Sequence, residues 1–147
     1  MPLLIAQLLV SGFLSGLIWT IQVVHYPLMA RVGVDQFAQY ERLHSASITP
    51  LVGPAMLAEA AIAGLLLLHR PPAVSAWMAW TGALLVVAIW AVTFFVSVPC
   101  HAALAQGFDA AAHDRLVATN WLRTVAWTGR AALAAWMLWL AFNADKN

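Results

Sequence analysis

The run Leu3–Val24, LLIAQLLVSGFLSGLIWTIQVV, decides the fold. It contains no ionisable side chain, and no Lys or Arg occurs before Arg31. A helix of about 20 apolar residues is what crosses a bilayer's hydrocarbon core. A secretory leader has a basic start and a shorter apolar stretch before a small-residue cleavage site. This run has neither the basic start nor the short core, so the expectation is a first transmembrane helix that is retained.

Working outward, the same composition recurs. Helix two is expected over Pro50–Leu68, helix three over Val74–Val98 and helix four over Ala110–Phe142. At 1.5 Å per residue the last is ~50 Å long, so its first turns should stand outside a ~30 Å core. Between helices one and two, Pro27 stops a helix and Gly33 permits a turn. Asp35 then suits the cap of a short interfacial helix over Gln36–Ser47. Pro71 and Pro72 enforce a tight turn between helices two and three, and Pro99 ends helix three. Gly107 and Asp109 suit a turn and a cap ahead of helix four. The predicted fold is an all-α, integral membrane, antiparallel four-helix bundle forming one domain over residues 1–147.

The whole chain agrees. Hydrophobic residues make up 63% of it and charged residues 9%, with a mean hydropathy of +0.82. A soluble domain carries about 25% charged residues to coat its surface. The formal charge of +1 argues against nucleic acid as a partner. A single cysteine, Cys100, excludes an intrachain disulfide. Trp77 and Trp80 open helix three and Trp136 and Trp139 close helix four, as an interfacial belt would. Arg31, Arg42, Arg115 and Arg123 lie toward the long connections, against Arg70 and Lys146 on the other side. That balance favours long connections in the cytoplasm of a multi-pass protein of the bacterial inner membrane. Gly12-x-x-x-Gly16 reads as a strip for close helix packing within the bundle.

Ionisable residues inside a membrane need a reason. Glu59 lies ~13 Å into helix two, and Arg130 lies ~15 Å from the same side along helix four. Opposite charges at one depth are expected to pair, as a structural ion pair.

The second gathering is at the opposite end. His25 closes helix one, Glu41 and His44 precede helix two, His101 closes helix three, and Asn120 and Arg123 open the membrane part of helix four. Phe37, Tyr40, Glu41, His44 and Ile48 share one helical face, with Gln39 and Arg42 elsewhere. His25, His44 and His101 are candidate catalytic residues, with Arg123 and Asn120 to stabilise developing negative charge. Gln22, Tyr26, Tyr40 and Trp127 are candidate substrate contacts. His25, Glu41, His44 and His101 can equally be read as ligands of a transition metal. Glu41-x-x-His44 has the spacing of carboxylate-bridged di-iron bundles, but those use two such pairs and two further glutamates, and only Gln22-x-x-His25 stands nearby. Haem is another option if His25 and His101 face each other across a diagonal. His69 and His113 read as solvent or headgroup residues.

The runs Trp19–Pro27 (WTIQVVHYP), Pro99–Leu104 (PCHAAL) and Asn120–Arg130 (NWLRTVAWTGR) resemble a group of small bacterial four-helix membrane proteins. More distantly, the topology resembles the anthrone oxygenase-like family, from whose pattern His101 departs. The resemblance implies a compact four-helix bundle and a small, apolar, aromatic substrate. Two readings stand. One is an oxidoreductase or oxygenase acting on a lipophilic aromatic or quinone-like molecule that enters from membrane lipid. The other is a non-catalytic subunit, scaffold or small carrier, associating with further copies of itself. No internal repeat is visible that would favour a transporter.

Overall fold

The computed structural model describes residues 1–144, so the expectation placed on Lys146 lies outside the described residues. Four helices in it are long and apolar enough to cross a membrane: α1 (Pro2–Met29), α2 (Val34–Leu68), α3 (Ala76–Leu104) and α4 (Ala110–Ala144). Among the described residues there is no strand. α1 and α3 each pack against both α2 and α4, so each helix lies beside its neighbours in sequence.

Three apolar clusters fill the space between them. One joins Leu4, Leu66, Met78 and Met137. A middle one joins Leu14, Ile18, Met56, Ile89 and Trp127. A third joins Tyr26, Met29, Phe37, Leu104 and Leu116. The outer face is equally apolar: Leu9, Leu57, Leu84, Phe95 and Val125 are exposed. Such a continuous apolar exterior is far beyond the patches a water-soluble monomer tolerates. Trp77, Trp80, Trp136 and Trp139 are also exposed, with the Trp77 and Trp136 rings 5.6 Å apart.

Proline does less than its reputation here. Pro27 and Pro99 were expected to end their helices, yet α1 and α3 run on to Met29 and Leu104. The reason lies just upstream. Ile21–His25 and Thr93–Ser97 are π-helical turns, in which Tyr26 N–H bonds the Ile21 carbonyl and Val98 N–H bonds that of Thr93. A proline normally leaves the carbonyl four residues back unpaired and collides with it. The widened i→i+5 turn, which inserts one extra residue, relieves both problems before each proline arrives. Gln22, His25 and Ser97 ride on these turns.

The expected interfacial helix over Gln36–Ser47 is not separate. It is the first part of α2, which runs unbroken through Pro50 and Pro54. Both prolines are exposed, on the outer face, while Glu41, Met56 and Glu59 anchor the inner face on either side of them. Packing on both sides holds a proline-containing helix together where isolated propensity would break it. Nor does Asp35 cap it: α2 begins at Val34 with Gly33 before it and no side-chain cap. Asp109 does cap, its Oδ1 accepting from the Ala112 N–H at 3.0 Å. Gly107 before it has φ +148°, a conformation that excludes most side chains.

The helix pairs also match in size, 28 and 35 residues followed by 29 and 35. Each opens with a helix carrying a π turn, one residue, then proline. This duplication of form escapes a sequence comparison because little but the proline is shared.

Gly12 and Gly16 are exposed, and a Cβ on either would meet nothing within 4 Å. The strip therefore faces outward and is not, as expected, a packing seam of this bundle.

Candidate functional site

Two polar layers cross the apolar interior. In the first, Glu59 is buried and fully engaged. Its Oε1 accepts from Arg130 Nε at 2.7 Å and from Ser11 Oγ at 2.9 Å, and its Oε2 accepts from Trp127 Nε1 at 2.9 Å. Arg130 Nη1 donates to the Gly82 carbonyl at 2.6 Å. One carboxylate and one guanidinium thus tie all four helices together, across a diagonal where α2 and α4 otherwise barely touch. Gly82 is needed for this: a Cβ there would stand 3.0 Å from Arg130 Nη1. Every oxygen of the carboxylate is used internally, which is the arrangement of a clamp.

The second layer lies at the end marked by the π turns. Gln22 Oε1 accepts from Asn120 Nδ2 at 2.7 Å, and Asn120 Oδ1 accepts from Arg123 Nη1 at 3.3 Å. The same Nη1 donates to Ser97 Oγ at 3.2 Å. Gln22 also donates to the Val117 carbonyl at 3.3 Å. The guanidinium of Arg123 lies 5.1 Å from the Trp127 ring centre. Arg123 is only 7% exposed, and among the described residues it has no carboxylate partner. Its Nε is buried without an acceptor. A buried cation held only by neutral oxygens is an unusual expense, because its desolvation is uncompensated.

Beside it sit the imidazoles. His101 Nδ1 and Glu41 Oε1 are 2.7 Å apart, and Glu41 Oε1 also accepts from Ser45 Oγ at 2.9 Å. Glu41 is wholly buried, and its Oε2 has no partner. A carboxylate on Nδ1 fixes the proton of a neutral ring there and leaves Nε2 with the lone pair. The His44 ring lies 5.5 Å from that of His101 and 4.3 Å from that of His25, on which it stacks. The Tyr40 ring also stacks with that of His25, at 6.2 Å. The three histidines and Glu41 are therefore brought together, from three helices.

They are not arranged as a metal site. Among the described residues no group of three or more His, Cys, Asp or Glu is set to hold an ion. The metal reading of His25, Glu41, His44 and His101 thus finds no support in this geometry: His101 Nδ1 meets Glu41, and His25 and His44 meet face to face. α1 and α3 are diagonal, and the ring packed on that of His25 is His44.

A cavity of about 640 Å³ opens between α2 and α3 onto this layer. Its body is apolar, with Ile48, Val52, Met56, Leu57 and Phe94 on its walls. Its polar end carries Tyr26, His44, His101 and Arg123. Gln22, Tyr40, Asn120 and Trp127 are not among its lining residues, and Asn120 reaches it through Arg123. Ser45, Trp90 and Ser97 were missed by sequence reasoning and belong to this site. Ser97 had a signal, since it precedes Pro99 by two residues as His25 precedes Pro27. Trp90 had another: it lies mid-helix, far from either end where a belt tryptophan belongs.

His113 is a further correction. Expected in solvent or headgroups, it is buried, with Nε2 3.1 Å from the Tyr26 carbonyl near the end of α1. Comparison of the chain with family models, with curated proteins and with solved structures finds no match.

Proposed function

We propose that this chain is an antiparallel, multi-pass protein of the bacterial inner membrane, and an oxidoreductase or oxygenase acting on a lipophilic phenol- or hydroquinone-like substrate. The observation that carries the reading is the juxtaposition of a carboxylate-held imidazole and a guanidinium with no carboxylate partner among the described residues, at the polar end of an apolar cavity. The volume is in the range of small-molecule sites, and the walls suit fused rings.

In this reading the substrate enters from lipid with its hydroxyl toward His101. The phenolic O–H bond breaks, the proton passes to His101 Nε2, and the electron pair stays on oxygen as a phenolate. Arg123 stabilises that charge, and Asn120 and Ser97 aim the guanidinium. Glu41 stabilises the imidazolium formed. A phenolate gives up electrons far more readily than a phenol, and dioxygen is the co-substrate that takes them. For a hydroquinone the balance is one quinone and one hydrogen peroxide from one hydroquinone and one dioxygen.

The test is oxidation of 2,3-dimethyl-1,4-naphthohydroquinone in proteoliposomes, followed by quinone absorbance against empty liposomes. The expected result is a rate above background that falls about 100-fold or more in His101→Asn, the size of a general-base contribution. His69→Asn, in the opposite turn, should leave it unchanged. A rate no different from empty liposomes, or one that survives His101→Asn, overturns the enzyme. The non-catalytic reading, a membrane subunit, scaffold or carrier, is favoured by one observation: the outward-facing Gly12 and Gly16 are free to meet another helix.

A further inference from the structure

The cavity is drawn out along the two helices that bound it. Its lining residues run from Arg42 to Leu57 on α2 and from Trp90 to Ala105 on α3, fifteen steps of each helix, or ~22 Å. A volume of about 640 Å³ over that length leaves a cross-section of about 30 Å², room for one flexible chain or one ring edge-on and too little for two chains side by side. Tyr26, Arg42, His44, His101 and Arg123 gather at one end. Toward the other, Ile48 to Leu57 spans nine steps of α2, ~13 Å, the reach of an extended chain of about ten carbons. The hydroxyls on that stretch serve their own helices: Thr49 Oγ1 donates to the Ser45 carbonyl and Thr93 Oγ1 to the Ile89 carbonyl, each at 2.7 Å. At the polar end Arg42 Nη1 donates to the Ala105 carbonyl at 3.1 Å and bridges α2 to α3. Along the side, Leu57, Phe94 and Val98 line the cavity and are also exposed on the outer face, so its opening gives onto lipid.

We propose that the substrate is a lipid with one polar ring and one flexible apolar tail, an alkyl- or prenyl-hydroquinone, its ring at His101 and Arg123 and its tail along the far half of the cavity. This rests on the functional reading above and narrows its substrate class. A two-chained lipid exceeds the cross-section, and a tailless ring leaves the far half unfilled. Gly53 keeps that half open. It lies between Thr49 and Leu57 at four-residue spacing, all three line the cavity, and a Cβ on Gly53 would meet nothing within 4 Å. Glycine is a poor helix former, and no close neighbour requires one here, so the open space is what it serves. The tail adds little to affinity, because the bilayer it leaves is as apolar as the cavity it enters. Its trace is steric: filling the far half excludes a tailed substrate and spares a tailless one.

The test compares 2,3-dimethyl-1,4-naphthohydroquinone with 2-methyl-3-decyl-1,4-naphthohydroquinone in proteoliposomes of the full chain, each at the same mole fraction in the bilayer. Wild type should oxidise both. Gly53→Leu should lower kcat/KM for the decyl compound roughly tenfold, the scale of an overpacked apolar contact, and leave the dimethyl compound within about twofold. Gly64→Leu, at an exposed and equally open position on α2 outside the cavity, should change neither. A second readout needs no variant and holds even if Gly53→Leu does not fold. The decyl quinone with a diazirine at the end of its chain should, on irradiation, label residues 52–57 and 90–94. Decane carrying the same diazirine should label the exposed faces of all four helices. If wild type oxidises the dimethyl compound but Gly53→Leu slows both compounds alike or neither, the tail is refuted and the enzyme stands. A labelling pattern no different from that of the decane probe refutes it equally. If wild type oxidises neither compound above empty liposomes, the functional reading fails and the proposal fails with it.

Discussion

Replacing Glu59 with leucine should unfold most of the molecule, and replacing Arg130 as well should restore part of it. Glu59→Leu removes the acceptor of three donors, from Arg130, Ser11 and Trp127. Breaking a buried pair by deleting one partner costs about 3–5 kcal/mol, because the remaining charge is left without compensation. Two further orphaned donors add about 1 kcal/mol or more each. The single variant should therefore lose about 5 kcal/mol or more, comparable with the whole stability of a small domain. In Glu59→Leu/Arg130→Met neither charge remains. What persists is an unpaired Ser11 hydroxyl, an unpaired Trp127 N–H and a Gly82 carbonyl without its donor, a cost of about 2–3 kcal/mol. Equilibrium unfolding of purified protein in mixed micelles, read by tryptophan emission, measures wild type and both variants on one scale. The double variant should be more stable than Glu59→Leu by about 2 kcal/mol or more. A double variant as unstable as the single, or worse, would mean that the charges do not compensate each other and that the clamp is no clamp.

Other expectations follow from single contacts. Gly82→Ala should cost about 1–3 kcal/mol, since its Cβ would crowd Arg130 Nη1 at 3.0 Å; thermal unfolding reads it. Gly12→Leu and Gly16→Leu should change monomer stability by less than about 0.5 kcal/mol, because both positions are open. If either variant alters the oligomeric state seen by cross-linking, the strip is a contact between copies. Asn120→Leu should lose about 2 kcal/mol through the stranded Gln22 and Arg123 groups. It should also weaken anthraquinone binding, by letting the guanidinium drift. His113→Phe should cost about 1 kcal/mol by taking a donor from the Tyr26 carbonyl.

How much of this was legible beforehand depends on the kind of signal. Apolar length is additive along the chain, so the four helices could be read from composition. The Glu59–Arg130 contact could be anticipated because two rare charges at one depth have few alternatives. The face carrying Phe37, Glu41 and His44 was readable from helical spacing, and it packs inward as that spacing implies. Prolines misled, because their effect depends on whether a π turn precedes them and whether neighbouring helices hold both sides. His113 misled for a different reason: the first turn of α4 packs against the end of α1, where the Tyr26 carbonyl meets its ring. Spacing could not settle the metal and haem readings. Spacing brings imidazoles together but does not say whether they meet by edge, by face or through a carboxylate. The cavity itself could not be read, since a hole is set by which side chains on two helices fail to fill the space between them.

The most direct measurement is a crystal structure grown from a lipid mesophase with 2-bromo-9,10-anthraquinone, using the bromine's anomalous signal to find the ring system. Density for the rings should lie between α2 and α3, against Phe94 and Met56, with one carbonyl oxygen within hydrogen-bond distance of Arg123. A bromine found only on the lipid-facing surface, such as the open apolar depression beside Leu138 and Trp139, would contradict it.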